Sequence, residues 1–98
     1  MCAERLAIAL KLGADVVVDA GAQDVRRAVR QHTDDQGADY VVEAAGKEET
    51  LENAVRVVTP GGVISVVGAF QRPITINAPR MQAKSVTMLI GMGDLGAM

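Results

Sequence analysis

Cysteine occurs once in these 98 residues, histidine once and tryptophan not at all, and the only aromatics are Tyr40 and Phe70. A single cysteine closes no intrachain disulfide, which fits a reducing, cytoplasmic setting. Cys2 and His32 are the only sulfur and imidazole ligands, too few for a four-ligand zinc site within one chain. Basic runs are missing as well. Ten Lys and Arg against twelve Asp and Glu leave a formal charge of −2, which gives no electrostatic footing for nucleic acid or for an anionic membrane. No apolar run approaches the ~20 residues of a bilayer span. Glu4, Arg5 and Lys11 interrupt the N-terminal segment where a signal peptide needs an unbroken apolar stretch. With so few aromatics, Val, Ile, Leu and Ala must build the core of one small domain, or of part of a larger one.

What is present is a near-repeat. Residues 13–19 read GADVVVD and residues 37–43 read GADYVVE, each after an amphipathic stretch. Glycine after a helical stripe stops a helix, because it enters the left-handed region without a steric penalty. A short Val-rich run then reads as a buried strand of a parallel sheet. Helix, glycine, strand, repeated, is the sequence form of βαβ architecture. Ligands of such sheets bind where strands end and the chain turns into the next helix.

The pattern predicts helices over 3–12, 24–33 and 49–58. The first carries the stripe Leu6, Ala9, Leu10 and Gly13; the second, capped by Asp24, carries Val25, Ala28, Val29 and His32; the third carries Leu51, Ala54, Val55 and Val58. Strands are predicted at 16–18, 39–44, 63–67 and 85–90. Thr59-Pro60-Gly61-Gly62 reads as the turn that stops the third helix. Pro73 and Pro79 flank a fifth short strand, 74–77, which belongs at a sheet edge because proline cannot donate to a ladder.

The order GADVVVD, GADYVVEAAG, helix, TPGGVISVVG, edge strand, KSVTMLIG resembles the later part of the cofactor domain of the medium-chain, zinc-binding alcohol dehydrogenases. ERLAIALKLGAD at the start matches as well, and the resemblance covers essentially the whole chain. It implies an α/β fold, a partial doubly wound Rossmann-type parallel sheet over residues 1–98, with no catalytic domain. It also implies hydride transfer between NAD or NADP and an alcohol or carbonyl, with zinc in metal-containing relatives polarising the substrate oxygen. By the same resemblance Arg5 falls near the adenosine ribose. Ala44, Ala45 and Gly46 fall at the strand end facing the adenosine half. Val67, Gly68 and Ala69 fall on the nicotinamide side, and Leu89 in the last such stretch. The family pairs subunits through an edge corresponding to 74–77, so the expected partners are a second copy or a full-length dehydrogenase subunit.

A dinucleotide site of this class needs strand, G-x-G-x-x-G, helix, second strand and then an acid. None of these precedes Gly13, and the literal match GMGDLG at 91–96 is followed only by Ala97 and Met98, so it reads as a turn. Strands 16–18 and 39–44 would be the third and fourth of the order 3-2-1-4-5-6, leaving a gap of about 14 Å at ~4.8 Å per step. The expectation is that the chain re-pairs these strands, borrows strands from another copy, or is unstable. His32 reads as a partly buried packing residue, Cys2 as a terminal thiol, Asp34-Asp35 as a solvated turn and Glu43 as a strand-end acid. Two functions follow: a dehydrogenase fragment inactive alone, or a non-catalytic association module derived from such an enzyme. A receiver-like fold using Asp19, Glu43 and Lys84 is a third, in which Lys84 stands on the wrong side of its strand.

Overall fold

The computed structural model describes residues 3–19 and 22–91. Helix α1 spans Ala3–Lys11 and α2 spans Val25–Gln31; β1 (Ala38–Glu43), α3 (Glu48–Val57), β2 (Val58–Val66), α4 (Ala78–Lys84) and β3 (Thr87–Ile90) follow. The strands form one parallel sheet in the order β1-β2-β3. None of the described helices is long and apolar enough to cross a membrane.

The core lies on one face of the sheet. Leu51, Ala54 and Val55 of α3 pack on Val58, Ile64 and Val66 of β2, all six buried, with Met81 of α4 and Met88 of β3 alongside. The predicted stripe of α3 is therefore the stripe that is buried. The opposite face is open: Tyr40 and Val42 of β1 and Leu89 of β3 are each more than half exposed.

Thr59-Pro60-Gly61-Gly62 does form an irregularity, but inside β2. Ala38 is paired with Val58 and Tyr40 with Val63, so four residues of β2 are looped out against one residue of β1. Helix α3 and β2 are thus joined without a loop. Asp24 caps α2 as predicted, accepting from the Arg26 N–H at 3.0 Å. The helix stops two residues short of the predicted end. The Thr33 hydroxyl donates to the Val29 carbonyl (2.7 Å) and accepts from the Gly37 N–H (3.0 Å). Asp34 and Asp35 then take left-handed conformations, which Asp tolerates better than most residues. His32 is consequently the exposed C-cap of α2 rather than a packing residue. The Asp34-Asp35 turn is solvated, as predicted.

Three further expectations are corrected. Residues 16–18 form no strand. An extended segment becomes a strand only beside a ladder partner, and among the described residues it has none, so re-pairing with β1 does not occur. Residues 74–77 form no strand either: the Thr75 N–H donates to the Glu48 carboxylate at 2.7 Å instead of to a neighbouring strand. The outer strands of the described sheet are β1 and β3, so the edge at 74–77 expected to pair subunits does not exist in this form. Finally, α1 buries no residue, and Ile8 and Leu10 are about half exposed.

Helix α4 has no counterpart among the predicted elements. Asn77 accepts from the Arg80 N–H at 3.1 Å, and Pro79 sits in the first turn, where its missing N–H costs nothing. Its last residue, Lys84, ties it down: the ammonium donates to the carbonyls of Val55 (2.9 Å), Arg56 (2.9 Å) and Val58 (2.8 Å). These are carbonyls at the C-terminal end of α3 and the start of β2, some of which a helix end leaves without partners. Burial, with the Arg80 guanidinium nearby, lowers the Lys84 pKa. Lys84→Met keeps the aliphatic stem and removes all three donors. It should cost roughly 2 kcal/mol, within the range for hydrogen bonds to a charged group, seen as a lower urea midpoint at neutral pH.

Candidate functional site

β1 and β2 end side by side. After Glu43 the chain runs through Ala44 and Ala45 to Gly46, and after Val66 through Val67 and Gly68 to Ala69. The N–H groups of Val67 and Gly68 both donate to the Glu43 carbonyl, at 2.9 and 3.1 Å. The two glycines lie against each other. A Cβ built on Gly68 would overlap the Gly46 nitrogen and a Glu43 carboxylate oxygen. One built on Gly46 would overlap the Ala69 carbonyl oxygen and stand 2.8 Å from its carbon. Gly46 also has φ +71°, in the left-handed region.

The Glu43 side chain organises this junction. It is 3% exposed. Its carboxylate accepts from the Gly46 N–H at 3.0 Å, the Lys47 N–H at 3.3 Å and the Thr50 hydroxyl at 2.5 Å. Lys47, the N-cap of α3, makes no side-chain cap of its own. Glu43 therefore supplies negative charge at the positive end of α3 from the preceding strand. Burial pushes the carboxyl pKa up, but the hydrogen bonds from Thr50, Gly46, Lys47 and Ala45 outweigh it and hold the group below its ordinary value of 4.5.

The sign of the pH dependence follows. A depressed folded pKa means that the unfolded chain binds the extra proton first. The contribution of Glu43 is complete above pH 4.5 and is lost as pH falls through the lower folded value. Urea midpoints should hold steady from neutral pH to about pH 5, drop as pH falls from 4.5 toward the lower folded value, and owe nothing further to Glu43 below it. Glu43→Gln should flatten this acid limb, and an unchanged limb would show that another carboxylate carries it.

The strand ends open on a cleft of about 800 Å³ whose wall includes Ala45, Gly46, Lys47, Ala69, Phe70 and Arg72. Of the residues singled out in the sequence, Ala44, Ala45 and Gly46 are thus brought beside Val67, Gly68 and Ala69. Small side chains leave the backbone there accessible. Leu89 is opposite Ser65 in the ladder, two residues short of Val67, and exposed. Arg5 is exposed on α1, and among the described residues no hydrogen bond or ion pair ties it to the strand ends. Cys2, Gly93 and Gly96 lie outside the described residues. Lys84 is anchored at the α3–β2 joint while Glu43 sits at the other end of β1, so the receiver-like grouping does not form. Sequence reasoning passes over Thr50 and the burial of Glu43. The available signal is an acid closing an apolar strand just before a glycine turn and a helix.

Among the described residues no three His, Cys, Asp or Glu side chains are grouped to hold a metal ion. The cleft wall joins the small residues Ala45, Gly46 and Ala69 to Phe70, Pro73 and Ile74, and the cations Lys47 and Arg72 stand there with the carboxylates Glu48 and Glu49.

A sequence profile described as zinc-binding dehydrogenase matches residues 2–94. An alcohol dehydrogenase of Cupriavidus necator is 42% identical over 90 residues, covering 92% of this chain but 23% of its own length. The solved alcohol dehydrogenase TADH from Thermus sp. ATN1 is 37% identical with a TM-score of 0.86, over 92% of this chain and 26% of its own. A putative zinc-binding dehydrogenase from Sinorhizobium meliloti 1021, solved bound to NADP, is 26% identical with a TM-score of 0.80 over 92% of this chain and 28% of its own. The chain thus spans about a quarter of the length of each. The superposition over nine-tenths of the chain shows that the relative placement of its elements is retained, which counts against rearrangement around the expected gap.

Proposed function

Because the chain belongs to the zinc-binding dehydrogenase family, an NAD(P)-dependent family, we infer that residues 44–46 and 67–69 form one wall of a nicotinamide-dinucleotide cleft. The enzyme so formed transfers hydride between that cofactor and an alcohol or carbonyl. The observation that carries this reading is the Gly46–Gly68 junction, which exposes backbone at two adjacent strand ends over an open cleft. The cofactor supplies the hydride chemistry when bound. This chain's part is to orient: Glu43 fixes the turn that presents Ala45 and Gly46, and Lys47 and Arg72 offer positive charge. Arg5 and Leu89 take part as flanking contacts. The chain contributes no zinc ligands and on its own is inactive.

The test is an amide-resolved titration of the ¹⁵N-labelled chain with NADPH and with NADH, to millimolar concentration. Shifts confined to residues 44–47 and 67–70 support the reading; shifts centred elsewhere, or none with either cofactor, would overturn it. NAD(P)H-dependent carbonyl reduction by the isolated chain would contradict its inactivity.

A second reading, association with another copy or with a full-length dehydrogenase subunit, is favoured by the open sheet face bearing Tyr40, Val42 and Leu89. Sedimentation of the chain as a stable monomer at tens of micromolar, unchanged by an added full-length relative, would sink it.

A further inference from the structure

Nothing in the cofactor reading uses the opposite end of the sheet. There the start of β1, the α3–β2 joint and the facing sides of α2 and α4 enclose a cleft of about 460 Å³. Five cationic side chains line it, Arg26, Arg30, Arg56, Arg80 and Lys84, against one carboxylate, Asp35. That is half of the Lys and Arg in a chain whose net charge is negative.

Helix electrostatics account for part of this. Arg30, Arg56 and Lys84 stand in the last turns of α2, α3 and α4, where cations complement the negative helix end. They do not account for Arg26 and Arg80, which stand in first turns, where the helix end is positive. Each also precedes another cation by four residues, Arg26 before Arg30 and Arg80 before Lys84. On a helix that spacing sets like charges side by side and destabilises it. Internal partners relieve the charge only partly. Arg56 pairs with Glu52 at 2.8 Å, and Arg26 approaches Asp24 at 3.7 Å. Lys84 is held by its three carbonyls. Among the described residues no ion pair reaches Arg30 or Arg80. In each like-charged pair one member, Arg30 or Arg80, thus faces the concavity without an ion-pair partner among the described residues, a local conflict of the kind expected at functional or strained sites.

We propose that this cleft binds a small polyanion carrying two or more phosphate groups, with the guanidiniums of Arg30 and Arg80 as its main contacts. The planar fork of Arg matches phosphate oxygens two at a time. The excess of positive charge calls for more than one negative group, and the volume suits a small molecule. Arg26 and Arg56 add field from the flanks; Lys84 remains a structural donor.

The test is calorimetric titration of the chain with sodium tripolyphosphate at low and at physiological salt. A saturable one-site isotherm that weakens with salt is expected. The double variant Arg30→Gln/Arg80→Gln should bind at least about tenfold more weakly, the loss of two charge-assisted contacts. Lys11→Gln, at an exposed position on α1 outside both clefts, should bind as the parent does. Circular dichroism should show helix content in the double variant equal to or above the parent's, because a repulsion has been removed. If that variant unfolds, Arg30→Gln alone, at an exposed position, carries the same comparison. Absence of saturable heat, binding indifferent to the arginine substitutions, or equal loss in Lys11→Gln would each overturn the proposal. Tighter binding of a polyglutamate peptide than of tripolyphosphate would overturn the phosphate assignment.

Discussion

Gly46→Ala should destabilise the chain by about 2–5 kcal/mol, as the sum of two separable costs. Forcing a residue with a Cβ into the left-handed region costs roughly 1–2 kcal/mol, and Gly46 has φ +71°. The new methyl would also collide with the Ala69 carbonyl, which is backbone and cannot rotate away; overpacking of this kind adds about 1–3 kcal/mol. Gly61→Ala separates the two costs. Gly61 has φ +79°, but a methyl there would meet nothing within 4 Å, so it should lose only the conformational part, about 1 kcal/mol. Urea denaturation of both variants at neutral pH measures the difference. Equal losses would mean that Ala69 yields freely, and that the two strand ends are not locked together. If they are locked, Gly46→Ala should also displace Ala69 and erase the amide shifts expected there on adding cofactor.

Glu43→Ala should be as damaging, at about 3–5 kcal/mol. The Gly46 and Lys47 N–H groups and the Thr50 hydroxyl lose their acceptor inside a buried junction, and an unmade buried hydrogen bond costs more than a made one contributes. Glu43→Gln is the more informative change. It preserves shape but removes one carboxylate acceptor and the charge beside the Gly46 and Lys47 N–H groups, which can only donate, so about 2–3 kcal/mol should still be lost. Thr50→Val, which removes one donor and keeps the volume, should cost about 1 kcal/mol. These are large fractions of the ~5–15 kcal/mol that hold a domain together. A Glu43→Gln variant within about 0.5 kcal/mol of the parent, the scatter of ordinary surface changes, would remove Glu43 from its organising role.

The sequence is most legible where local pattern and tertiary packing agree. The stripe Leu51, Ala54, Val55 and Val58 is the buried stripe, and VISVV lies in or beside β2, because a 3.6-residue and a strand signal there each have a partner to bury against. Legibility fails where a segment needs something beyond itself. Val16, Val17 and Val18 have strand-forming side chains, but pairing is a property of two segments, and periodicity cannot supply the second. At 74–80 the prolines read as strand-edge markers, whereas Asn77 before Pro79 is equally the start signal of a helix. The strand-end residues 44–46 and 67–69 can be picked out by resemblance. What fixes them, the carboxylate of Glu43 reaching forward to Gly46, Lys47 and Thr50, has no periodic signature. The basic cleft is equally hidden, since its arginines are scattered over three helices and give no run of charge.

The pairing order of the sheet bears on how the chain is made. Each strand pairs with the one synthesised before it, β2 on β1 and then β3 on β2. On a ribosome, β1 and α3 would already be outside the exit tunnel when β2 emerged, so the core around Ile64 can begin to close before α4 and β3 emerge. Residues 16–18 come out earlier than any of these and meet no ladder partner among the described residues. Of these valines Val16 keeps 47% of its surface exposed, an apolar side chain still open to a neighbour when the rest of the core has closed.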